Sequence, residues 1–196
     1  ISGDGSTVIF NSYTRNYIDN FYAVKENGIW STPKKISEKL SSKFYLRTVS
    51  LSYDGSQLYL ATDEPEKNDL FVCYKDGRDW IEADKLPKTI NGKKSNETHA
   101  CVTKDGNTLY FTSDRDGGLG GLDIYKSKKD AKGNWGEPEN LGSSINTPFD
   151  EATPFLTLDD KYLFFSSQGH SSIGGFDIFY IDLDSKTMAV NLGYPA

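Results

Sequence analysis

A turn followed by an alternating strand occurs four times in this chain, as DGSTVIFNS from Asp4, DGSQLYLAT from Asp54, DGNTLYFTS from Asp105 and DDKYLFFSS from Asp159. The four aspartates stand 50, 51 and 54 residues apart, and a period of that size dictates architecture before any single residue does. A second strand pattern begins 15 to 18 residues after each aspartate: NFYAV at Asn20, DLFVC at Asp69, DIYKS at Asp123 and DIFYI at Asp177. A third marker is a tryptophan six residues before an aliphatic, in the pairs Trp30 and Ile36, Trp80 and Leu86, Trp135 and Leu141. Four residues beyond each pair comes another aliphatic, at Leu40, Ile90 and Ile145. The fourth copy lacks the tryptophan and ends on a strand pattern from Met188.

Each unit reads as four antiparallel strands. In the third, HACVT is followed by the Asp-Gly turn, LYFTS, a Gly-rich loop, DIYKS and a strand bearing Trp135. Asp-Gly is a strong hairpin signal because glycine accepts the positive φ such turns need. Alternation places Leu109 and Phe111 on one face and Tyr110 on the other. Runs such as DIFYI are apolar on both faces, as expected of a small sheet packed between two neighbours. The expectation is an all-β fold: a β-propeller of four-stranded antiparallel blades, spanning approximately 1–43, 44–95, 96–149 and 150–196. A β-sandwich is the alternative, but it does not require the internal period. Only Ile1 to Gly3 precede the first turn, so the first blade is expected to lack its innermost strand. A segment of a larger propeller, of six to eight blades, is therefore expected.

A formal charge of −6 and a pI near 5.0 argue against nucleic acid or anionic lipid as partners, since both call for a basic surface. The 22 Lys and Arg residues are scattered, and no stretch approaches the roughly 20 apolar residues of a membrane span, so no membrane insertion is expected. The chain opens on ISGDGSTVIF without a leader pattern, and a mature or excised segment is expected. Cys73 and Cys101 fall on strands of neighbouring repeats, where both free thiols and a disulfide are open readings.

Antiparallel order gathers the loops between second and third strands at the same end as the links between blades. These segments (YTRNYID, TDEPEKN, SDRDGGLGG, SQGHSSIGG, SSKFYLR, NGKKSNE and NTPFDE) are longer and more polar than the opposite turns. Function lives on such loops, so this end is the candidate partner-binding face, with Arg15, Arg47, Glu64, Arg115, Asp116 and His170 as its candidate contacts. Asp114, Asp116 and Asp123 are weak candidates for a metal, because hard cations want several oxygen ligands, but the spacing of a calcium loop is absent. An acid recurs at Asp69, Asp123 and Asp177, where bracing the loop through backbone N–H bonds is the simpler reading. Glu97 and Glu151 each stand eight residues before a turn aspartate, and Leu46 holds that place in the second unit; a hydrogen-bonding role inside the blade is expected. No pair of carboxylates is singled out for glycoside cleavage. His99 reads as a satisfied core histidine, and the three tryptophans as packing residues rather than sugar platforms. No catalytic residue and no cofactor is expected.

The segments TSDRDGGLGGLDIYKS, GNWGEPENLGSSINTPFDEATPF and FFSSQGHSSIGGFDIFY resemble the TolB-like, WD-related propeller repeats of Bacteroidetes cell-envelope proteins. The resemblance is strongest over 96–196 and weaker over 1–95. In that family the repeats often sit between a tetratricopeptide region and an OmpA-type domain, and some members serve type IX secretion and gliding. The resemblance implies a periplasmic or outer-membrane-associated scaffold that binds other cell-envelope proteins. The alternatives are a glycan-binding or glycan-cleaving propeller working at an axial pocket, and a sensor module.

Overall fold

In the computed structural model, residues 1–13, 18–36, 46–77, 79–185 and 187–193 are described, and within them all regular structure is β. The chain is a β-propeller of four antiparallel blades. The first blade holds β1 (Thr7–Tyr13), β2 (Ile18–Glu26), β3 (Ile29–Trp30) and β4 (Lys34–Lys35). The second holds β5 (Leu46–Leu51), β6 (Gln57–Thr62), β7 (Leu70–Asp76), β8 (Asp79–Trp80) and β9 (Asp84–Lys85). The third holds β10 (Glu97–Val102), β11 (Thr108–Ser113), β12 (Asp123–Lys128) and β13 (Glu139–Asn140). The fourth holds β14 (Glu151–Leu156), β15 (Tyr162–Ser167), β16 (Asp177–Asp182) and β17 (Val190–Asn191). The strand after the first Asp-Gly turn is β1, the counterpart of β6, β11 and β15, and among the described residues no strand lies inside it.

The four turns repeat one hydrogen-bond pattern. The hydroxyls of Ser2, Ser52, Thr103 and Thr157 donate to the carboxylates of Asp4, Asp54, Asp105 and Asp159, each at 2.6 Å. The same hydroxyls accept from the backbone N–H that opens the next strand. These bonds hold all four carboxyls below the usual range, Asp4 at about 2. Where the fourth copy has no glycine, Asp160 itself takes a φ of 57°, a left-handed conformation that aspartate tolerates better than most residues.

The register shifts one sequence alignment. Phe10 pairs with Phe21 as Leu60 does with Phe71, Phe111 with Tyr125 and Phe165 with Phe179. The counterpart of Asp69, Asp123 and Asp177 is therefore Asp19, not Asn20; a one-residue slip would turn every side chain of β2 to the wrong face. Each of these acids reaches the outermost strand. Asp19 pairs with Lys35 at 2.7 Å, Asp69 with Lys85, while Asn140 and Asn191 donate to Asp123 and Asp177 at 2.8 and 3.2 Å. The expected tryptophan strand is broken into two short pieces: β3 and β4 both pair with β2, and β8 and β9 both pair with β7. In the first and third units a proline, Pro33 or Pro138, lies at the break and has no N–H to donate. The second unit breaks at the same place without one.

Blades pack face to face in chain order. Ile9, Tyr22 and Val24 of the first blade meet Leu58, Leu60, Phe71 and Cys73 of the second. The far side of the second blade, Tyr59, Ala61, Leu70 and Val72, meets Leu109, Phe111 and Tyr125 of the third. Tyr110, Cys101 and Ile124 then meet Leu163, Phe165, Phe179 and Ile181 of the fourth. Leu109 and Phe111 thus oppose Tyr110, as the alternation requires. Each blade has a trailing face toward its predecessor and a leading face toward its successor. Cys73 and Cys101 lie in different interfaces, buried and unbridged, and burial pushes the Cys73 thiol up to about 12. Among the described residues no helix is long and apolar enough to cross a membrane.

Two asparagines clamp the links between blades. Asn91 accepts from the Leu70 N–H at 2.7 Å and donates to the carbonyls of Leu70 and Leu86, each at 2.9 Å. Asn146 does the same to Ile124 at 2.8 and 2.9 Å. Both are almost fully buried. Asn91→Ala takes their partner from the buried Leu70 N–H and the Leu86 carbonyl, while the Leu70 carbonyl keeps the Leu86 N–H, and is expected to cost about 2–3 kcal/mol, read as a lowered urea midpoint with an unchanged slope.

Candidate protein-binding face

Because neighbouring strands are antiparallel, the loops 63–69, 114–122 and 168–176 share one end of the propeller with the links 86–96 and 141–150. The third and fourth blades build this end most elaborately. At the start of β12 the Asp123 carboxylate is fully buried and accepts from the backbone N–H groups of Leu119, at 2.5 Å, and Gly120, at 3.2 Å. The loop it braces is sewn to the next link: Leu122 N–H donates to Asp150 at 2.8 Å and Glu151 N–H to the Leu122 carbonyl at 2.7 Å. Gly120 lies directly on the carbonyls of Thr147 and Phe149, where a Cβ has no room. In the fourth blade, Asp177 accepts from the Ile173 N–H at 2.8 Å, and Gln168 N–H donates to the Asp150 carbonyl at 3.0 Å.

These braced loops hold large apolar side chains out to water. Leu119 is 48% exposed, Phe149 57%, Ile173 88% and Phe176 49%. Leu119 and Ile173 occupy the same repeat position, four residues before Asp123 and Asp177, and in both the braced backbone N–H belongs to the apolar residue itself. The sequence reading missed all four residues. The available signal was one aliphatic at the same place in two Gly-rich loops.

Several expected contact residues face inward instead. Arg115 spans the second and third blades: its guanidinium donates to the carbonyls of Ile90 and Thr89 at 2.5 and 3.3 Å and to Ser113 Oγ at 3.0 Å. It lies 3.3 Å from the Glu97 carboxylate and within 5.0 Å of the Phe111 and Tyr125 ring centres. With its donors spent inside the blades, Arg115 is a structural pin. His170 turns its ring toward Phe179 and Phe165 and brings Nε2 to 2.7 Å from the Ile145 carbonyl oxygen. Arg47 donates to the Thr98 carbonyl at 2.6 Å, linking the inner strands of the second and third blades. Asp116 is exposed and Glu64 half-buried, so their carboxylates remain at the surface. Arg15 lies outside the described residues.

The acidic candidates do not converge. Asp114 accepts from Asn96 N–H and Nδ2 at 2.6 and 2.8 Å, Asp123 is spent on its own loop, and Asp116 stands apart. Among the described residues no group of three His, Cys, Asp or Glu side chains is placed to hold a metal. Glu97 and Glu151 act inside their blades. Glu97 accepts from Ser95 and Ser113 at 2.6 and 2.7 Å, and Glu151 from Thr147 N–H, Thr147 Oγ1 and Ser167 at 2.7, 2.7 and 2.6 Å. Burial raises the Glu97 carboxyl despite those donors and Arg115.

At the opposite end, a cavity of about 160 Å³ opens on the propeller axis between Val49, Tyr53, Val102, Phe155 and Leu158. Its carboxylate, Asp160, accepts from the Lys104 N–H at 2.9 and 3.1 Å, and the Lys104 ammonium lies 4.4 Å from the Tyr53 ring centre.

No protein-family model matches the chain, and no curated protein matches it in sequence. Solved structures do share its fold. A putative TolB from Agrobacterium tumefaciens superposes with a TM-score of 0.68 at 14% identity, over 98% of this chain and 63% of that one. TolB from Acinetobacter baumannii gives 0.64 at 16%, over 97% and 41%. The periplasmic gluconolactonase PpgL of Pseudomonas aeruginosa gives 0.52 at 14%, over 98% and 55%. The chain thus spans less than two thirds of each of these structures. At such identities the likeness is one of fold alone, that of the β-propeller.

Two outcomes follow from the geometry. Arg115→Ala strands the fully buried Glu97 without its cation and is expected to cost about 3–5 kcal/mol; adding Glu97→Gln should recover much of the loss in urea melts. Burial, aided by nearby Arg47, lowers His99 to about 4. The folded state therefore binds this proton less readily than the unfolded chain, whose histidine titrates near 6.5. Stability present above about pH 6.5 should fall by up to about 3 kcal/mol as pH drops toward 4. His99→Gln should flatten that part of the stability–pH curve, and an unchanged curve refutes the assignment.

Proposed function

We propose that this chain is a non-enzymatic protein-binding propeller of the bacterial cell envelope, docking another envelope protein on the loop end of its third and fourth blades. The observation that carries the reading is the set of exposed apolar tips, Leu119, Phe149, Ile173 and Phe176, on loops braced by the Asp123 and Asp177 carboxylates and the Asp150 link. Apolar side chains that remain exposed on a braced scaffold favour a partner surface. The fold shared with TolB and with a periplasmic lactonase supports the envelope setting. The resemblance of the repeats extends the proposal to periplasmic or outer-membrane scaffolds of the type IX secretion and gliding kind.

The glycan or hydrolase reading has one specific support, the axial cavity, since propellers such as the lactonase are enzymes. Against it, the cavity wall is mainly aliphatic and aromatic, and its Asp160 already accepts from the Lys104 N–H. Sugars need more polar partners than that.

The reading is tested with immobilised wild-type chain and a Leu119→Ser, Ile173→Ser double variant, each exposed to cross-linked envelope extract. The expected result is a discrete protein recovered by the wild type and lost at least tenfold in the double variant, with thermal melts unchanged. Equal recovery by both, or turnover of a glycan or lactone by the wild type, would overturn it.

A further inference from the structure

Between the outer rims of the second and third blades lies a cavity of about 500 Å³, inside the range of about 300–1,000 Å³ found for small-molecule sites. Gln57, Tyr59, Tyr74 and Asp84 of the second blade form one wall, and Lys129 and Trp135 of the third form the other. A one-residue difference accompanies it. Four residues separate Lys25 from its cross-strand partner Trp30, and Lys75 from Trp80, whereas five separate Lys129 from Trp135. In all three pairs the ammonium lies over the indole, at 5.5, 6.0 and 4.6 Å from the ring centre. Trp80 is buried against the first blade, and the space at that rim is only about 200 Å³. Trp135 packs on the second blade yet stays half-buried. The longer hairpin is held in shape by Asp130, which accepts from the N–H groups of Lys132 and Asn134 at 2.8 and 2.9 Å.

The polar groups of this cavity are unspent. The Tyr59 hydroxyl donates to Gln57 Oε1 at 2.9 Å, which orients the amide and leaves both donors of Nε2 free. Gln57 Nε2, the Tyr74 hydroxyl, the Asp84 carboxylate and the Lys129 ammonium make no hydrogen bond or ion pair with a described residue. Burial and the nearby Asp84 raise the Tyr74 phenol. Lys85, also in the wall, is already paired with Asp69.

This set selects among ligands. Asp84 balances Lys129, so nothing here favours a phosphate or a polyanion. A purely apolar ligand would strip water from both charges and return no partner. A sugar satisfies the whole set: its hydroxyls donate to Asp84 and accept from Gln57 and Lys129, while its C–H groups cover the Trp135 and Tyr74 rings. We propose that this cleft binds one or two hexopyranose units of a glycan, with Asp84 and Gln57 holding hydroxyls and Trp135 and Tyr74 packing on the ring. The site binds without cleaving, because Asp84 is the single carboxylate among its described lining residues and glycoside cleavage uses two. It shares no residue with the loop tips at Leu119, Phe149, Ile173 and Phe176, so it stands or falls separately from the proposed partner surface.

The whole chain, labelled with nitrogen-15, gives one indole N–H signal for each tryptophan and is titrated with cellobiose and with diacetylchitobiose. The Trp135 signal, identified by its loss in Trp135→Phe, should move with a Kd on the order of 1 mM for at least one of the two. The signals of buried Trp80 and of Trp30, which is 40% exposed, should stay. Asp84→Ala and Gln57→Ala should each weaken binding about tenfold with urea melts unchanged. A Trp30 signal that moves as far as that of Trp135 marks non-specific contact with exposed indoles and overturns the proposal. So does a still Trp135 signal with both sugars, or full affinity in both alanine variants.

Discussion

A blade of this protein cannot be stable by itself, because its sheet is apolar on both sides. An isolated antiparallel sheet can solvate one face and bury the other, but here the central strands carry runs such as Leu58 to Ala61 and Ile178 to Ile181, which leave no polar face to turn outward. The only arrangement that buries both sides is stacking against neighbours, and the three internal interfaces use the same repeat positions. Side-chain size at one repeat position varies between blades: Leu60 in the second is replaced by Phe111 and Phe165 in the third and fourth. Close packing of this kind tolerates such exchanges when volume is conserved across the interface.

With the stack fixed, the two ends of the propeller diverge. The turn end is uniform, with one hydroxyl-to-aspartate bond of equal length in all four blades. The loop end is not. The aspartate that opens each third strand meets lysine in the first two blades, Lys35 and Lys85, and asparagine in the last two, Asn140 and Asn191. A neutral asparagine leaves that carboxylate free to hold the backbone of a longer loop, and it is in those two blades that Leu119 and Ile173 are presented. One substitution on the outermost strand thus accompanies the change from a short connector to a binding loop.

The fold was legible because period and alternation are properties of the chain, and packing between repeats only amplifies them. Tyr110 and Phe111 were assigned to opposite faces from alternation alone, and they lie in different interfaces. The slip between Asn20 and Asp19 shows the limit: both are polar, and only the pairing of Phe10 with Phe21 decides between them. The loop end was less legible. Charge beside glycine reads as exposure, yet Arg115 and His170 turn inward because carbonyls of Ile90 and Ile145, about 25 residues away in sequence, offer them acceptors. Such partners belong to the neighbouring blade's link and leave no mark in the local pattern. The exposed tips were overlooked for the opposite reason, since an aliphatic in a loop carries no chemistry until its exposure is known.

The site around Glu97 shows how one position in the repeat is solved three ways. In the second blade Leu46 fills it and is buried among apolar neighbours. In the third, Glu97 brings a carboxylate into the same place, and Arg115 from the adjoining loop enters to meet it. In the fourth, Glu151 keeps the carboxylate, but Gly169 stands where Arg115 would, and the vacated space admits Thr147, which has room only because Gly169 has no Cβ. The loop then carries His170 at the next position, with a φ of 52°, against Phe179. The acid, its partner and the loop conformation therefore change together. A single substitution at any of them leaves either a buried charge or a clash, which is why the loops of the third and fourth blades, so alike in their glycines and braced tips, differ most around this residue.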